Sequence, residues 1–362
     1  MGIAADRVMK RVRQRRLRVQ WWGQGLQHWG LAGTVILAVP AAMAQTASCE
    51  RACLIGHADR YMEALTRHDP VVIPFARDAR LAENQQAIKP GEGIWKSAVS
   101  FSKARQYVAD AQTGQVGVQA IVDDSGKPAI FALRLKIVNN EITEAETLVT
   151  HDGEGGPPFE PEGFLTREAP YIREVPQQIR SSREVLLQTA RRYWDIATTT
   201  HKGEDEPYTS DCFHFQNGVN TSWERELTAA EATAPERNAP QPYDGRIWIC
   251  ARELTMTTQP WTRERSVRTL VDTDRGLVMT WNLVDVKGRP GPDGKMQPPP
   301  KSGDPIPPLP DNAPPGLSAL GWSQRGQPQT FYHAEVKRII GGKVQREQVF
   351  QRALPPDAQS AF

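Results

Sequence analysis

The sequence predicts an α+β protein built from two copies of one domain, each an N-terminal helix packed on a curved antiparallel sheet. The first observation is a repeated segment: "ADRYMEALTRHD" at 58–69 resembles "ARRYWDIATTTH" at 190–201. The second is strand-like alternation later in each half, which suits a sheet with two different faces. The third is a pair of dipeptides, Asn-Asn at 139–140 and Gly-Gly at 341–342, which supply the positive φ of tight hairpins. A helix followed by hairpin-linked strands is an α+β arrangement.

The N-terminus is predicted to be a secretory signal peptide, residues 1–44. Residues 7–18 carry seven Lys and Arg residues, and the apolar run "LAGTVILAVPAAMA" follows, with Ala42 and Ala44 at the cleavage-site positions before Gln45. A membrane anchor is the alternative, although the run is shorter than the ~20 residues that a bilayer needs. The segment holds seven of the 44 basic residues and one of the 42 acidic ones, so the mature chain has a net charge of about −4. Such a net charge does not indicate binding to nucleic acid or to anionic lipid, and no membrane partner is expected after cleavage.

Each of the two repeated segments is predicted to lie in an amphipathic helix. Apolar residues recur at helical spacing, with a tyrosine on the apolar stripe of both copies. The first stripe is Leu54, Ala58, Tyr61, Met62 and Leu65, and the second is Leu186, Ala190, Tyr193, Trp194 and Ala197. The "HDP" at 68–70 ends the first helix, because proline disfavours helix in the residue before it.

The correspondence between the copies continues along the chain with changing offsets. "RLAENQQ" at 80–86 matches "HFQNGVN" at 214–220, "IVDDSGKPAIFAL" at 121–133 matches "LVDTDRGLVMTWNL" from 270, and "LKIVNNEITEAETLV" at 135–149 matches "KRIIGGKVQREQVF" from 337. The offset changes place insertions between Asn217 and Val271 and at the Pro-rich stretch 287–316, which interrupts a hairpin. We therefore expect a first domain at 45–151, a linker at 152–180 and a second domain at 181–357.

Four cysteines, an even number in a chain predicted to reach an oxidising compartment, favour two disulfides. Three pairings are possible. We prefer Cys49 with Cys53, which are neighbours, and Cys212 with Cys250, which would join two strands. A metal site built on Cys212 and His214 is the alternative, but no second ligand pair with zinc-like spacing accompanies them.

The chain resembles the superfamily of nuclear transport factor 2 (NTF2), the ketosteroid isomerases and the SnoaL-type polyketide cyclases. The residues that carry the resemblance are "DRYMEALTRHDP" at 59–70, "PFARDARLAEN" at 74–84, "GEGIW" at 91–95 and "ALRLKIVNNEITEAETLV" at 132–149. In detail it is similar to a secreted tandem family of unknown function, through "CFHFQNGVNTS" and "RTLVDTDRGLV" in the second copy. The resemblance implies two cone-shaped domains, each with an apolar pocket between helix and sheet.

The resemblance also implies candidate site residues in the first copy. The helix tyrosine and strand acid of the ketosteroid isomerases fall on Tyr61 and Glu83, which would be the catalytic pair. The third group, a protonated acid, would fall near Ala132 or Leu133, which cannot donate a side-chain hydrogen bond. Stabilisation of an oxyanion would then depend on Tyr61, Asn84 or Trp95.

In the second copy Tyr193 remains, but the acid position becomes Gln216 or Asn217, and an amide cannot serve as a general base. His214 and His333 lie on nearby predicted strands and could transfer protons. The second copy is therefore either a degenerate structural partner or a pocket with different chemistry. Each candidate also has a structural interpretation: tyrosines and histidines pack in cores, and Asn84 and Asn217 suit turns.

The function predicted on this basis is a secreted or periplasmic acid-base enzyme without a cofactor. It would be a lyase, isomerase, cyclase or dehydratase for a small hydrophobic or aromatic molecule. The chain contains no G-x-S-x-G, Walker, dinucleotide-binding or H-E-x-x-H motif, so hydrolase, kinase and dehydrogenase interpretations have little support. The alternative is a non-catalytic module for small-molecule binding or for homo-oligomerisation.

Overall fold

The computed structural model describes residues 49–154, 159–165, 171, 173–199, 207–220, 223–226, 246–250, 261–286 and 328–362. The predicted signal peptide at 1–44 and the Pro-rich insertion at 287–316 lie outside these residues. Within the described ranges, no helix combines the length and apolarity needed to cross a membrane.

The first copy is a helix followed by a six-stranded sheet. Helix α1 spans Arg51–Thr66, and the strands are β1 (Phe75–Glu83), β2 (Gln86–Ile88), β3 (Ala98–Asp110), β4 (Gln115–Asp124), β5 (Lys127–Val138) and β6 (Glu141–Thr150). The strand order is β2-β1-β6-β5-β4-β3, with β1 parallel to β6 and all other pairs antiparallel. Buried residues of α1, including Tyr61 and Leu65, share one hydrophobic cluster with Phe131, Leu133 and Leu135 of β5.

The second copy repeats this plan. After the short helix α2 (Pro161–Leu165), helix α3 spans Arg183–Thr198, and its strands are β7 (Tyr208–Gln216), β8 (Val219–Asn220), β11 (Trp261–Asp272), β12 (Leu277–Val286), β13 (Gln329–Ile340) and β14 (Lys343–Leu354). Their order is β8-β7-β14-β13-β12-β11, and β7 is parallel to β14. Strands β9 (Trp223–Glu226) and β10 (Arg246–Ile249) form a separate antiparallel pair within the first predicted insertion. The two sheet-rich regions are compatible with the predicted α+β class and two-domain layout, but each sheet contains one parallel strand pair where an antiparallel sheet was expected.

One predicted correspondence is wrong. Sequence similarity pairs the hairpin β11–β12 with residues 121–133, which form the β4–β5 hairpin. The sheet orders instead make it the equivalent of β3–β4, so that Asp272 corresponds to Asp110. The error arose because "VDDSG" and "VDTDRG" are similar turn sequences in adjacent hairpins.

The last hairpin of each copy was matched correctly. Asn139, Asn140, Gly341 and Gly342 all have positive φ, between 51° and 73°, and each pair joins two antiparallel strands. Asparagine and glycine tolerate this left-handed backbone better than other residues.

The two sheets pack against each other through their faces opposite the helices. One hydrophobic cluster joins Val108 and Leu148 of the first sheet to Met279, Trp281 and Phe350 of the second. The contact is pseudo-symmetric, because an arginine at the start of each helix forms an ion pair with an aspartate at the end of a strand in the other copy. Arg51 bonds Asp272 at 3.0 Å, and the equivalent Arg183 bonds Asp110 at 2.6 Å. Such reciprocal pairs are typical of a two-fold interface, here formed within one chain.

Both preferred disulfides are present. Cys49 is bonded to Cys53 and Cys212 to Cys250, and the described residues contain no free cysteine. The alternative metal site on Cys212 and His214 is excluded in this state, because the Cys212 sulfur is in a disulfide.

Candidate active site

Tyr61 and Trp95 meet in the interior of the first copy. Tyr61 lies on the buried stripe of α1, and Trp95 lies in the short 3-10 helix Gly93–Lys96 before β3. The indole N–H of Trp95 donates to the Tyr61 hydroxyl at 3.3 Å, and the rings pack edge to face. Burial raises the pKa of Tyr61 well above its usual value, so the phenol stays protonated.

Glu83 ends β1 and contacts the same 3-10 helix. The Ile94 N–H donates to its Oε2 at 2.9 Å. Gly93 has φ +63°, and a Cβ there would lie 2.6 Å from the carboxylate, so a side chain at this position would displace it. Burial raises the pKa of Glu83, and the Ile94 hydrogen bond partly opposes this.

Asn84 and Asn217 occupy equivalent turns and make equivalent bonds. Both have positive φ, and both side-chain Oδ1 atoms accept a backbone N–H of the parallel neighbour strand, from Val149 and from Gln351. Their backbone N–H groups donate to that same strand. These contacts fix the β1–β2 and β7–β8 turns, which is the structural interpretation of this pair.

The first copy's sheet presents an apolar face to α1. Along β5 the residues on this face are Phe131, Leu133 and Leu135, all fully buried. Ala145 of β6 lies opposite Leu135 in the strand register. Apart from the Tyr61 and Glu83 regions, this interior resembles an ordinary packed core.

The same positions in the second copy carry polar and charged side chains. By the hairpin correspondence, His333, Glu335 and Lys337 replace Phe131, Leu133 and Leu135, and Glu347 replaces Ala145. All four side chains are buried, with 2% exposure or less. Only His333 among them was a candidate from the sequence.

Glu335, Lys337 and Glu347 form one buried ionic group. The Lys337 ammonium donates to Glu347 at 2.6 Å and also to Glu335. Glu335 accepts a further hydrogen bond from the Trp194 indole at 3.1 Å, and the Lys337 ammonium lies 4.2 Å from the centre of the Tyr193 ring. Helix α3 therefore contributes two aromatic side chains to this group.

The three groups differ in protonation. Burial, with the nearby negative charge of Glu347, raises the pKa of Glu335 to about 7. Burial alone would lower the pKa of Lys337, but the two carboxylates raise it, so the ammonium is retained. Burial alone would likewise raise the pKa of Glu347, but Lys337 lowers it, so Glu347 stays ionised. Glu335 is thus the member that exchanges a proton near neutrality.

A second titratable carboxylate borders this group. Glu264 of β11 is partly exposed and accepts from the Asn282 amide at 2.5 Å, and burial raises its pKa to about 7. An aromatic cluster lies on the same face of the sheet: the His333 ring packs on Trp194, Trp261 and Phe331, with ring centres 5.3–6.1 Å apart.

The predicted second-copy residues gather on this face. Burial lowers the pKa of His333 to about 4, so its ring is neutral. His214 of β7 is opposite Glu347 in the strand register, and Tyr193 contacts Lys337. The sequence contained a signal for the missed residues: in "FYHAEVKRII" the polar residues at 333, 335 and 337 alternate like the apolar residues at 131, 133 and 135.

A separate surface groove of about 830 Å³ lies at the end of β4 and β6. It is lined by Asp124, His151, Glu154 and Phe159 among others, and by none of the predicted site residues. Both nitrogens of His151 are bonded, to Asp124 at 2.8 Å and to Glu154 at 3.0 Å. The groove is open, and its one imidazole is already paired.

Within the described residues, one group of side chains has the spacing to hold a metal ion. It consists of Cys49, Cys53 and His57 at the start of α1. Both sulfurs are in the disulfide, so the group does not offer thiolate ligands in this state.

Comparison with known proteins gives a family without a described activity. No curated protein matches the chain. Among solved structures, a de novo designed protein with a curved β-sheet is 19% identical, with a TM-score of 0.24, over 28% of this chain and 88% of that one. A protein from Sphaerobacter thermophilus is 15% identical, with a TM-score of 0.22, over 27% of this chain and 96% of that one. The AclR protein of Streptomyces galilaeus, a putative hydroxylase by its description, is 14% identical, with a TM-score of 0.19, over 36% of this chain and 92% of that one. One family model matches the chain at residues 47–149 and 179–349, and the chain therefore belongs to that family, described as a domain of unknown function (DUF8021).

Proposed function

We propose that the protein is a secreted or periplasmic acid-base enzyme that needs no cofactor and acts on a small hydrophobic or aromatic molecule. The active centre is the buried ionic group of the second copy, Glu335, Lys337 and Glu347. Both copies are taken as NTF2-like cones, which the shared order of helix and strands supports. Export is supported by the two disulfides.

The observation that carries the proposal is the replacement of a packed apolar interior by charges at equivalent positions. Burial of ions costs several kcal/mol each unless they are paired, and apolar residues of similar size are often as stable or more so. In the first copy of the same chain, Leu133 and Leu135 fill these places. A destabilising group kept where an apolar one fits is more readily explained by chemistry than by stability.

The arrangement suits proton transfer at carbon. Glu335, with a pKa of about 7, can take a proton from a carbon next to a carbonyl and return it to another atom. The Lys337 ammonium stands beside it and can stabilise the negative charge that develops on the carbonyl oxygen. Glu347 stays ionised and holds the ammonium in place.

Substrate recognition would come from the aromatic cluster. Trp194, Trp261 and Phe331 surround the neutral His333 ring, and flat organic molecules pack well against such side chains. Glu264 and Trp261 are only partly buried, so we place the entrance at β11.

Deuterium exchange tests the proposal with a panel of candidate substrates. The mature chain would be incubated in D2O with cyclic and aromatic ketones, and label at the carbon next to the carbonyl would be measured by mass spectrometry. We expect catalysed exchange in the wild type and a loss of at least about 100-fold in Glu335→Gln, the usual share of a general base.

Glu83→Gln is the matched control, because it removes the candidate base of the first copy. Exchange lost in Glu83→Gln and kept in Glu335→Gln would move the active centre to Tyr61 and Glu83. Ketone binding without exchange in any variant would favour the alternative function, a small-molecule-binding module.

A further inference from the structure

A cysteine pair and a histidine lie together at the start of α1. Cys49 precedes the N-cap residue Glu50, Cys53 is one turn further, and His57 follows after another turn. One ligand atom of each residue lies within 4.8 Å of the other two. The equivalent positions of α3 are Ser181, Val185 and Thr189, so the second copy has no such group.

His57 has one ring nitrogen available to act as a ligand. Its Nε2 bonds the Oδ1 of Asn140 at 2.8 Å, and because that oxygen is an acceptor, Nε2 carries the proton. The lone pair is then on Nδ1, which is buried and has no hydrogen-bond partner among the described residues. The side chain as a whole is 4% exposed. Metal-binding histidines usually donate their other ring N–H to an oxygen in this way.

The disulfide that holds the two sulfurs is accessible. Cys53 is exposed and Cys49 partly so, whereas Cys212 and Cys250 are 0% and 2% exposed. The bond between Cys49 and Cys53 spans only 4 positions, against 38 for the other disulfide. Reduction of a disulfide that closes a short loop destabilises a fold less than reduction of one that closes a long loop. The first disulfide can therefore open while the domain stays folded.

We propose that Cys49, Cys53 and His57 form a redox-gated site for a thiophilic cation such as Zn²⁺, closed when the disulfide is intact and open after its reduction. Two thiolates and an imidazole are a preferred zinc ligand set, and they leave one coordination position for water or another ligand. The inference does not depend on the proposed function.

The reducing step uses a dithiol. One of its thiolates attacks a disulfide sulfur to form a mixed disulfide, and its second thiolate releases the cysteine. The dithiol loses two electrons and becomes a disulfide, while Cys49 and Cys53 gain them as thiols. Each cysteine then gives up its proton when its sulfur binds the cation.

Cobalt titration of the mature chain tests this proposal, with Co²⁺ as the coloured replacement for Zn²⁺. The protein would be reduced with a dithiol, the opened cysteines would be identified by alkylation and mass spectrometry, and the reductant would be removed before titration. We expect one Co²⁺ per chain, with a thiolate charge-transfer band that is absent from the oxidised protein and is displaced by Zn²⁺.

Three variants borrow residues from the second copy, which already folds with them. Cys49→Ser with Cys53→Val should abolish the band, and His57→Thr should weaken Co²⁺ binding and alter the visible bands. Asn140→Gly keeps a turn like Gly341–Gly342 but removes the oxygen that orients His57, so we expect about 10- to 100-fold weaker binding.

Two results would overturn the proposal. One is a protein with Cys49 and Cys53 shown to be free thiols that gives no 1:1 cobalt band. The other is an unchanged spectrum and affinity in His57→Thr, with circular dichroism confirming that the variant is folded.

Discussion

Removal of the Lys337 ammonium should destabilise the protein strongly. In Lys337→Met, Glu335 and Glu347 would keep their places at 1% and 0% side-chain exposure without a cation between them. Loss of one partner from a buried ionic group costs about 3–5 kcal/mol, because the remaining charge is left unpaired in a poorly polarisable environment. The cost should shrink toward pH 5, since both carboxylates can then escape by taking up protons.

Removal of all three charges should have the opposite outcome. The variant Glu335→Leu, Lys337→Met, Glu347→Leu gives this face apolar residues of similar volume, as the first copy has at Leu133 and Leu135. Replacement of a complete buried ionic group by well-packed apolar residues is neutral or stabilising by about 1–4 kcal/mol. The triple variant should therefore be at least about 3 kcal/mol more stable than Lys337→Met, although it contains that same substitution.

Urea unfolding followed by tryptophan fluorescence measures both free energies of unfolding, because Trp194 and Trp281 are buried. The wild type and both variants would be compared at pH 7 and pH 5. A triple variant less stable than Lys337→Met would refute the reasoning, because the charges would then stabilise the second copy rather than destabilise it.

Three further changes test other parts of the structure. Gly117→Ala would place a Cβ 2.1 Å from the Met279 sulfur at the contact of the two sheets; we expect a loss of about 1–3 kcal/mol by urea unfolding, with partial recovery in combination with Met279→Ala. Burial raises the pKa of Glu335 from 4.5 to about 7, so the folded state holds a proton that the unfolded state releases, and between pH 4.5 and 7 the stability of the wild type should fall by about 3 kcal/mol relative to that of Glu335→Gln. Arg183→Ala removes two hydrogen bonds of 2.8 and 2.6 Å to the buried Asp110 carboxylate, and a thermal unfolding scan should show a loss of about 1–3 kcal/mol, which a wild-type melting temperature would contradict.

The parts of the fold that local sequence determines were predictable. The helix stripes around Tyr61 and Tyr193 follow from period 3.6, and the hairpins at 139–140 and 341–342 follow from residues that tolerate positive φ. The disulfide between Cys49 and Cys53 follows from their proximity in sequence. The predicted equivalence of the β11–β12 hairpin was wrong because the sequence of a turn does not determine which position its hairpin takes in the sheet.

The polar face of β13 was not predictable from its own sequence. Charged residues at every second position, such as Glu335 and Lys337, normally indicate the solvent side of a strand. Here that side is covered by α3, and Trp194 bonds Glu335 from 141 positions away. Because this long-range packing decides which residues are buried, the sequence of the strand predicts the alternation of its side chains but not which face of the sheet is covered.

A duplicated fold would allow the chain to keep buried charges that we expect to be destabilising. The first copy buries an apolar core under α1, and the reciprocal bonds of Arg51 and Arg183 fasten the two copies to each other. A fold whose stability comes largely from one half and from the shared contact can carry buried charges in the other half. On the proposed function the second copy would be the specialised half: Gln216 stands where the resemblance implies an acid, and Glu335, across the sheet, would supply the proton-transferring group instead.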